Sequence, residues 1–153
     1  MIKKAQKAVI GKPTVRCYMN KKMDATLIAK CGINCRTCVG FFGYKLNGEK
    51  TETCSGCPTR VKTCTFFKKH CKNQANREKI EYCFECLDFP CTELKKIDEY
   101  YSQKYGTSLI ENFSYIKTNG MEKFLKSEEE KWKCPTCGGV ICAHTKRCYT
   151  CNP

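Results

Sequence analysis

The sequence predicts a small α+β fold in which cross-links replace a large apolar core. Three observations point there. Sixteen of 153 residues are cysteine, and most stand three to five residues from the next. The hydrophobic fraction of 41% counts those cysteines; without them about 31% remains, below the roughly 45–50% of an ordinary globular domain. Helical periodicity is confined to one stretch near the C-terminal third. A chain with so thin a core needs disulfides or metals. The N-terminus carries only a short apolar run, Ala8 to Ile10, which is not a signal peptide. C-x2-C pairs are the spacing of metal knuckles more than of structural disulfides. The expectation is therefore a reduced, metal-stabilised, cytoplasmic protein. No apolar run approaches the roughly 18 residues of a membrane span.

Residues 1–22 predict a flexible basic extension, with Met19 and Met23 as alternative starts. They hold seven basic residues and no acid, leaving +6 of the formal +13 for the rest. Each tetrathiolate zinc site contributes a net −2, so the body approaches neutrality once loaded. Cys17 lies in this extension without a nearby partner.

Residues 23–92 form the cysteine-rich domain. Ala25 to Ala29 lead into Cys31, Cys35 and Cys38, spaced C-x3-C-x2-C. Gly32 is the φ-permissive residue that turns backbone N–H groups toward sulfur. Phe41, Phe42 and Tyr44 predict core, and Asn47-Gly48 a turn. Cys54 and Cys57 make a C-x2-C knuckle; Cys83, Cys86 and Cys91 follow as C-x2-C-x4-C, with Cys64 and Cys71 between. On one straight helix Cys64 and Cys71 would stand about 10.5 Å apart along the axis, too far for one zinc with bonds of about 2.3 Å. His70 reads as a helix-surface residue, and Asp88 and Glu85 as surface or supporting groups. Ten thiols exceed the eight of two four-cysteine sites, so two are spare or one sulfur bridges; the pairing stays open. Zinc is the leading expectation here and an iron–sulfur cluster the alternative. C-x3-C-x2-C is also the spacing of radical S-adenosylmethionine enzymes, but no partial barrel of about 200 residues follows it.

Residues 93–131 predict three helices. Thr92 caps the first, with Leu94, Ile97, Tyr101 and Tyr105 on its apolar face and Gly106 as its stop. Ser108 with Glu111 forms a capping box for the second, which buries Leu109, Phe113 and Ile116. Asn119-Gly120 breaks it, and Met121, Phe124 and Leu125 continue a third. Glu128 to Glu130 read as a solvated face.

Residues 132–153 carry Cys134, Cys137, Cys148 and Cys151, two C-x2-C pairs ten residues apart. This spacing predicts a zinc ribbon, with two knuckles at the ends of a hairpin that Val140-Ile141 begin. Four protein ligands leave no position for water, so the site is structural. Cys142 and His144 read as a strand and a turn residue rather than ligands.

The order CGINCRTC, CSGC, EYCFECLDFPCTEL, then a tryptophan before CPTCGG, resembles the cysteine-rich family grouped as domain of unknown function 3795. The most specific residues are Cys31-Gly32 with Cys35 and Cys38, and Cys83, Cys86, Asp88, Phe89, Pro90 and Cys91. The resemblance spans about Met23 to Cys91 and implies a cytosolic prokaryotic, zinc-binding protein; it supplies no reaction. With only His70 and His144 and no phosphate-binding glycine loop, the sequence favours a non-catalytic binding or adaptor module of about three zinc sites. The alternatives are nucleic-acid binding through Lys146, Arg147 and the extension, and a thiol-based redox or metal-handling protein.

Overall fold

The computed structural model describes residues 22–57, 64, 68–73 and 79–153. Residues 1–21 of the predicted extension, with Cys17, lie outside them, as do residues 65–67 between Cys64 and Cys71. Within that stretch the Lys68 N–H donates to the Cys64 carbonyl at 3.0 Å, one helical turn.

Three α-helices follow the cysteine-rich region: α1 Thr92–Tyr105, α2 Leu109–Asn119 and α3 Met121–Lys131. On α1, Leu94 and Tyr105 are buried and Ile97 and Tyr101 pack against the same core. Thr92 is not the cap: it is the first helical residue, and Cys91 precedes it as N-cap with no side-chain bond. A cysteine occupies a position where Ser, Thr, Asp or Asn is favoured, a cost accepted where the thiol has another task. Gly106 ends α1 at φ 66, donating to Ser102. The Ser108 hydroxyl caps α2 by accepting from the Glu111 N–H at 3.0 Å. Asp98 on α1 accepts from the Ser108 hydroxyl at 2.8 Å and the Ile110 N–H at 3.0 Å, which fixes α2 against α1. Gly120, at φ 85, joins α2 to α3.

Phe113 is fully buried and forms the hub between the helices and the thiol-bearing loops. Tyr82, Phe84 and Phe89 meet it edge-on, with centroids 6.1, 5.1 and 5.8 Å away, the arrangement aromatic quadrupoles favour. The loop carrying Cys31 is tied down by three contacts: the Ala29 N–H to the Ile33 carbonyl at 2.8 Å, the Asn112 amide to the Gly32 carbonyl at 2.9 Å, and the Cys83 N–H to the Lys30 carbonyl at 2.8 Å. Gly32 is required there. Its φ is 94°, and a β-carbon would stand 2.8 Å from the Leu109 carbonyl oxygen. Gly32→Ala should therefore cost about 2–4 kcal/mol, from left-handed strain plus overpacking. Gly48→Ala, at φ 86 with nothing within 4 Å, should cost about 1 kcal/mol. Urea midpoints of the metal-loaded proteins test the contrast, and equal losses at the two positions would remove the packing argument.

The β component is small. Among the described residues it consists of four isolated antiparallel bridges: Ile28 with Asn34, Tyr44 with Lys50, Lys133 with Val140 and Ile141 with Cys148. Each spans a tight turn, and the chain bends into a knuckle or 3-10 turn before a ladder can propagate. The Asn47-Gly48 turn is as expected, with the Gly48 N–H donating to Lys45 at 3.0 Å.

Glu128 departs from the expected solvated face. It is 4% exposed, and its carboxylate accepts from the Asn34 amide at 2.9 Å and the Trp132 indole N–H at 3.0 Å. Four residues after buried Phe124, it falls on the apolar stripe of α3; only Glu129 and Glu130 face solvent.

Candidate metal centre

The strongest site lies beyond α3. Two turns of the same construction present it: the Gly138 N–H donates to Cys134 at 2.9 Å, and the Asn152 N–H donates to Cys148 at 2.9 Å. The bridges at Lys133–Val140 and Ile141–Cys148 bring the turns together. The sulfurs of Cys134 and Cys151 stand 3.8 Å apart, and those of Cys137 and Cys148 3.6 Å. All four ligand atoms lie within 4.8 Å of one another. Four sulfurs at about 2.3 Å from one zinc have tetrahedral edges of about 3.8 Å. The thiols thus stand where a single tetrahedral ion needs them.

Electrostatics point the same way. The N–H groups of Cys137 and Thr136 hold the Cys134 thiol down at about 6. Burial pushes Cys148 up, but the N–H groups of Cys151 and Thr150 outweigh it and leave the thiol below its ordinary value. Cys137 is displaced upward, its bond from Gly139 opposed by burial and the neighbouring thiols. Cys151, sharing its proton with Cys137 and Cys134, is held up at about 12. The first proton leaves readily and the last does not, so all four can ionise together only around a cation.

Arg36 was not foreseen. It lies inside the C-x3-C-x2-C loop, 1% exposed, with its guanidinium 5.4 Å from the ring centres of Phe41 and Phe42. Burial lowers its pKa and Cys148 raises it, so the cation faces the thiol centre and can offset its net negative charge. The only advance signal was a basic residue enclosed by thiols. His144 also has a task unrelated to metal: its Nδ1 accepts from the Val39 N–H at 3.1 Å, and its ring packs edge-on against Tyr105 with centroids 4.5 Å apart. Burial, then Lys146, lowers its pKa, leaving it neutral. Cys142, fully buried beside Val39, Phe42 and Tyr149, is a core residue outside any strand. Lys146 directs its ammonium to the Tyr105 carbonyl and lies 5.0 Å over the Trp132 ring.

Of the ten thiols between Cys31 and Cys91, eight pack in or against one core cluster, Cys54 and Cys86 being the exceptions. Cys35 accepts the Cys57 N–H at 3.2 Å, and Gly40 lies between Cys38 and Cys54, whose N–H donates to its carbonyl at 2.8 Å. Cys83 interacts electrostatically with Cys71, Cys91 and Cys86, and Cys31 with Cys57, Cys83 and Cys64. Burial pushes Cys38 up to about 11 and Cys83 to about 12; burial does the same to Cys31, and the hydrogen bond with Cys57 to Cys35. Without a cation these are protonated thiols rather than ready nucleophiles. His70 is exposed, 3.6 Å from Glu93. The Glu85 carboxylate accepts from the Glu81 and Tyr82 N–H groups at 3.0 and 3.1 Å, so it serves the turn. Among the described residues, the four C-terminal thiols are the only set of three or more His, Cys, Asp or Glu at single-ion spacing.

Fold and site define a cysteine-rich chain with three α-helices after residue 91 and four thiols that could hold a metal ion. Comparison with protein-family models, curated proteins and solved structures returns no match. No helix among the described residues is long and apolar enough to cross a membrane.

Proposed function

We propose that this protein is a metal-stabilised, non-catalytic binding or adaptor module. In this reading residues 132–153 form a zinc ribbon around Cys134, Cys137, Cys148 and Cys151, and the Cys31–Cys91 region holds two further metal centres. The convergence of all four sulfurs within 4.8 Å of one another carries it: two separate turns bring four thiols to one point, the donor set and count of a tetrahedral zinc site. Closure by four protein ligands leaves no coordination position for water or substrate, which supports a structural role. Membership of the family grouped as domain of unknown function 3795, and the cytoplasmic setting it implies, belong to the same reading. Metal analysis of the full chain purified without oxygen tests it. About three metal centres per chain are expected, one of them zinc that disappears in Cys134→Ser/Cys137→Ser. A metal-free protein that is folded and monodisperse would overturn it.

A further inference from the structure

We propose that Cys71, Cys83, Cys86 and Cys91 together hold an iron–sulfur cluster, a centre distinct from the C-terminal zinc. The inference rests on the metal-stabilised reading and assigns both the thiols and the class of cofactor. These four line a cavity of about 250 Å³ whose apolar wall includes Phe89 and Leu94. No three of them approach within the 4.8 Å mutual spacing of the C-terminal thiols. What sets these four apart is that they surround a cavity instead of meeting at one point. Four thiolates on one zinc close upon the ion and leave no cavity, whereas the thiolates of a cluster attach to different irons and stand apart around inorganic sulfide.

The surroundings suit an anionic cluster. Cys91 precedes the first turn of α1, so the positive end of a 14-residue helix faces the cavity. The Asn73 amide donates to the Cys86 sulfur at 3.8 Å, the kind of contact that tunes cluster potential. Cys83 and Cys86 flank one 3-10 turn, with the Cys86 N–H donating to the Cys83 carbonyl at 3.1 Å, so two ligands are fixed by a single backbone unit. The assignment leaves Cys31, Cys35, Cys38, Cys54, Cys57 and Cys64, two thiols more than a second set of four needs.

The test uses the full chain purified without oxygen. Iron and acid-labile sulfide in equal amounts are expected, with a broad band near about 400 nm. Cys83→Ser/Cys86→Ser should lose iron, sulfide and the band while keeping the zinc of Cys134 and its partners. Alkylation followed by mass spectrometry makes the same test on the wild-type protein, independently of whether that variant folds. Cys71, Cys83, Cys86 and Cys91 should become reactive together when iron is removed, while the C-terminal four stay protected until zinc is chelated. Three zinc without iron, or iron whose removal exposes Cys35, Cys38, Cys54 and Cys57 instead, would overturn this inference and leave the proposed function standing. Absence of every metal from a folded chain would overturn both.

Discussion

Removing the proposed C-terminal zinc, by chelation or by Cys134→Ser with Cys137→Ser, should unfold residues 132–153 as a unit. A structural tetrathiolate zinc contributes apparent binding energy of about 10–16 kcal/mol, comparable to or larger than the whole net stability of a domain, about 5–15 kcal/mol. Nothing else in the segment can replace it. Its apolar contribution is two small clusters, a seam of Cys142 and Tyr149 against Val39 and Phe42, and Trp132 and Ala143 against Met23, and its β content is two isolated bridges. The seam is also pinned by the Ala143 N–H on the Thr37 carbonyl at 2.8 Å and by His144 on Val39, so the loss should propagate into the loop that carries Arg36. Trp132, the single tryptophan, is 6% exposed against Met23 and Ala143. Its emission should shift to the red on chelation and return when zinc is restored. Unchanged emission with zinc fully removed would show that the seam holds without metal.

The same site fixes the sign of the pH response. Binding requires thiolates, so affinity falls as pH falls. Cys134 in the free protein sits at about 6 and is already mostly ionised near neutrality. Zinc should therefore displace fewer than four protons per ion at neutral pH and approach four well below that value, where Cys134 is protonated. The stability contributed by the depressed Cys134 thiol is present above its ordinary range and is lost as pH falls through about 6. Calorimetry in buffers of different ionisation enthalpy counts the protons directly.

How much of this was legible depended on whether the determinant was local. The stripes of α1, α2 and α3 were readable because Leu94, Leu109, Phe113 and Phe124 repeat at helical spacing, and Gly106 and Gly120 sit where the chain must leave a helix. The C-terminal thiols were readable because C-x2-C twice, ten residues apart, nearly dictates their convergence. Two features depended on long-range packing and had no such signal, and a third had one that its neighbours masked. Asp98 accepts from Ser108, the N-cap ten residues later, and Arg36 interacts with Cys148, more than a hundred residues away; Glu128 stands four residues after Phe124 on the apolar stripe, although its charged neighbours imply a solvated face. Cys91 as the cap of α1 was obscured for a different reason: Thr92 is the better cap by propensity, and the geometry uses the cysteine.

Glu128→Leu should be the most damaging single substitution among the acidic residues. The carboxylate oxygen Oε2 is the shared acceptor for Asn34 and Trp132, and each donor left buried without an acceptor costs about 1–3 kcal/mol. A loss of about 2–5 kcal/mol follows, even though leucine suits the apolar stripe. The damage should not stay local. Asn34 also accepts the Arg36 N–H at 3.0 Å through its side-chain oxygen, shaping the turn that holds Cys35, while Trp132 enters the first C-terminal knuckle two residues before Cys134. One buried carboxylate on α3 therefore aligns both thiol-bearing regions. Glu128→Gln can place its carbonyl oxygen where Oε2 stands and should cost only about 1 kcal/mol; Glu129→Leu, on the exposed face, should stay within about 0.5 kcal/mol. Urea midpoints of the metal-loaded proteins rank the three, and the rate of zinc transfer to a chromophoric chelator should rise for Glu128→Leu alone. If Glu128→Leu proves no less stable than Glu129→Leu, the bridge between the two thiol regions contributes nothing, and the coupling must run through the Val39–His144 seam instead.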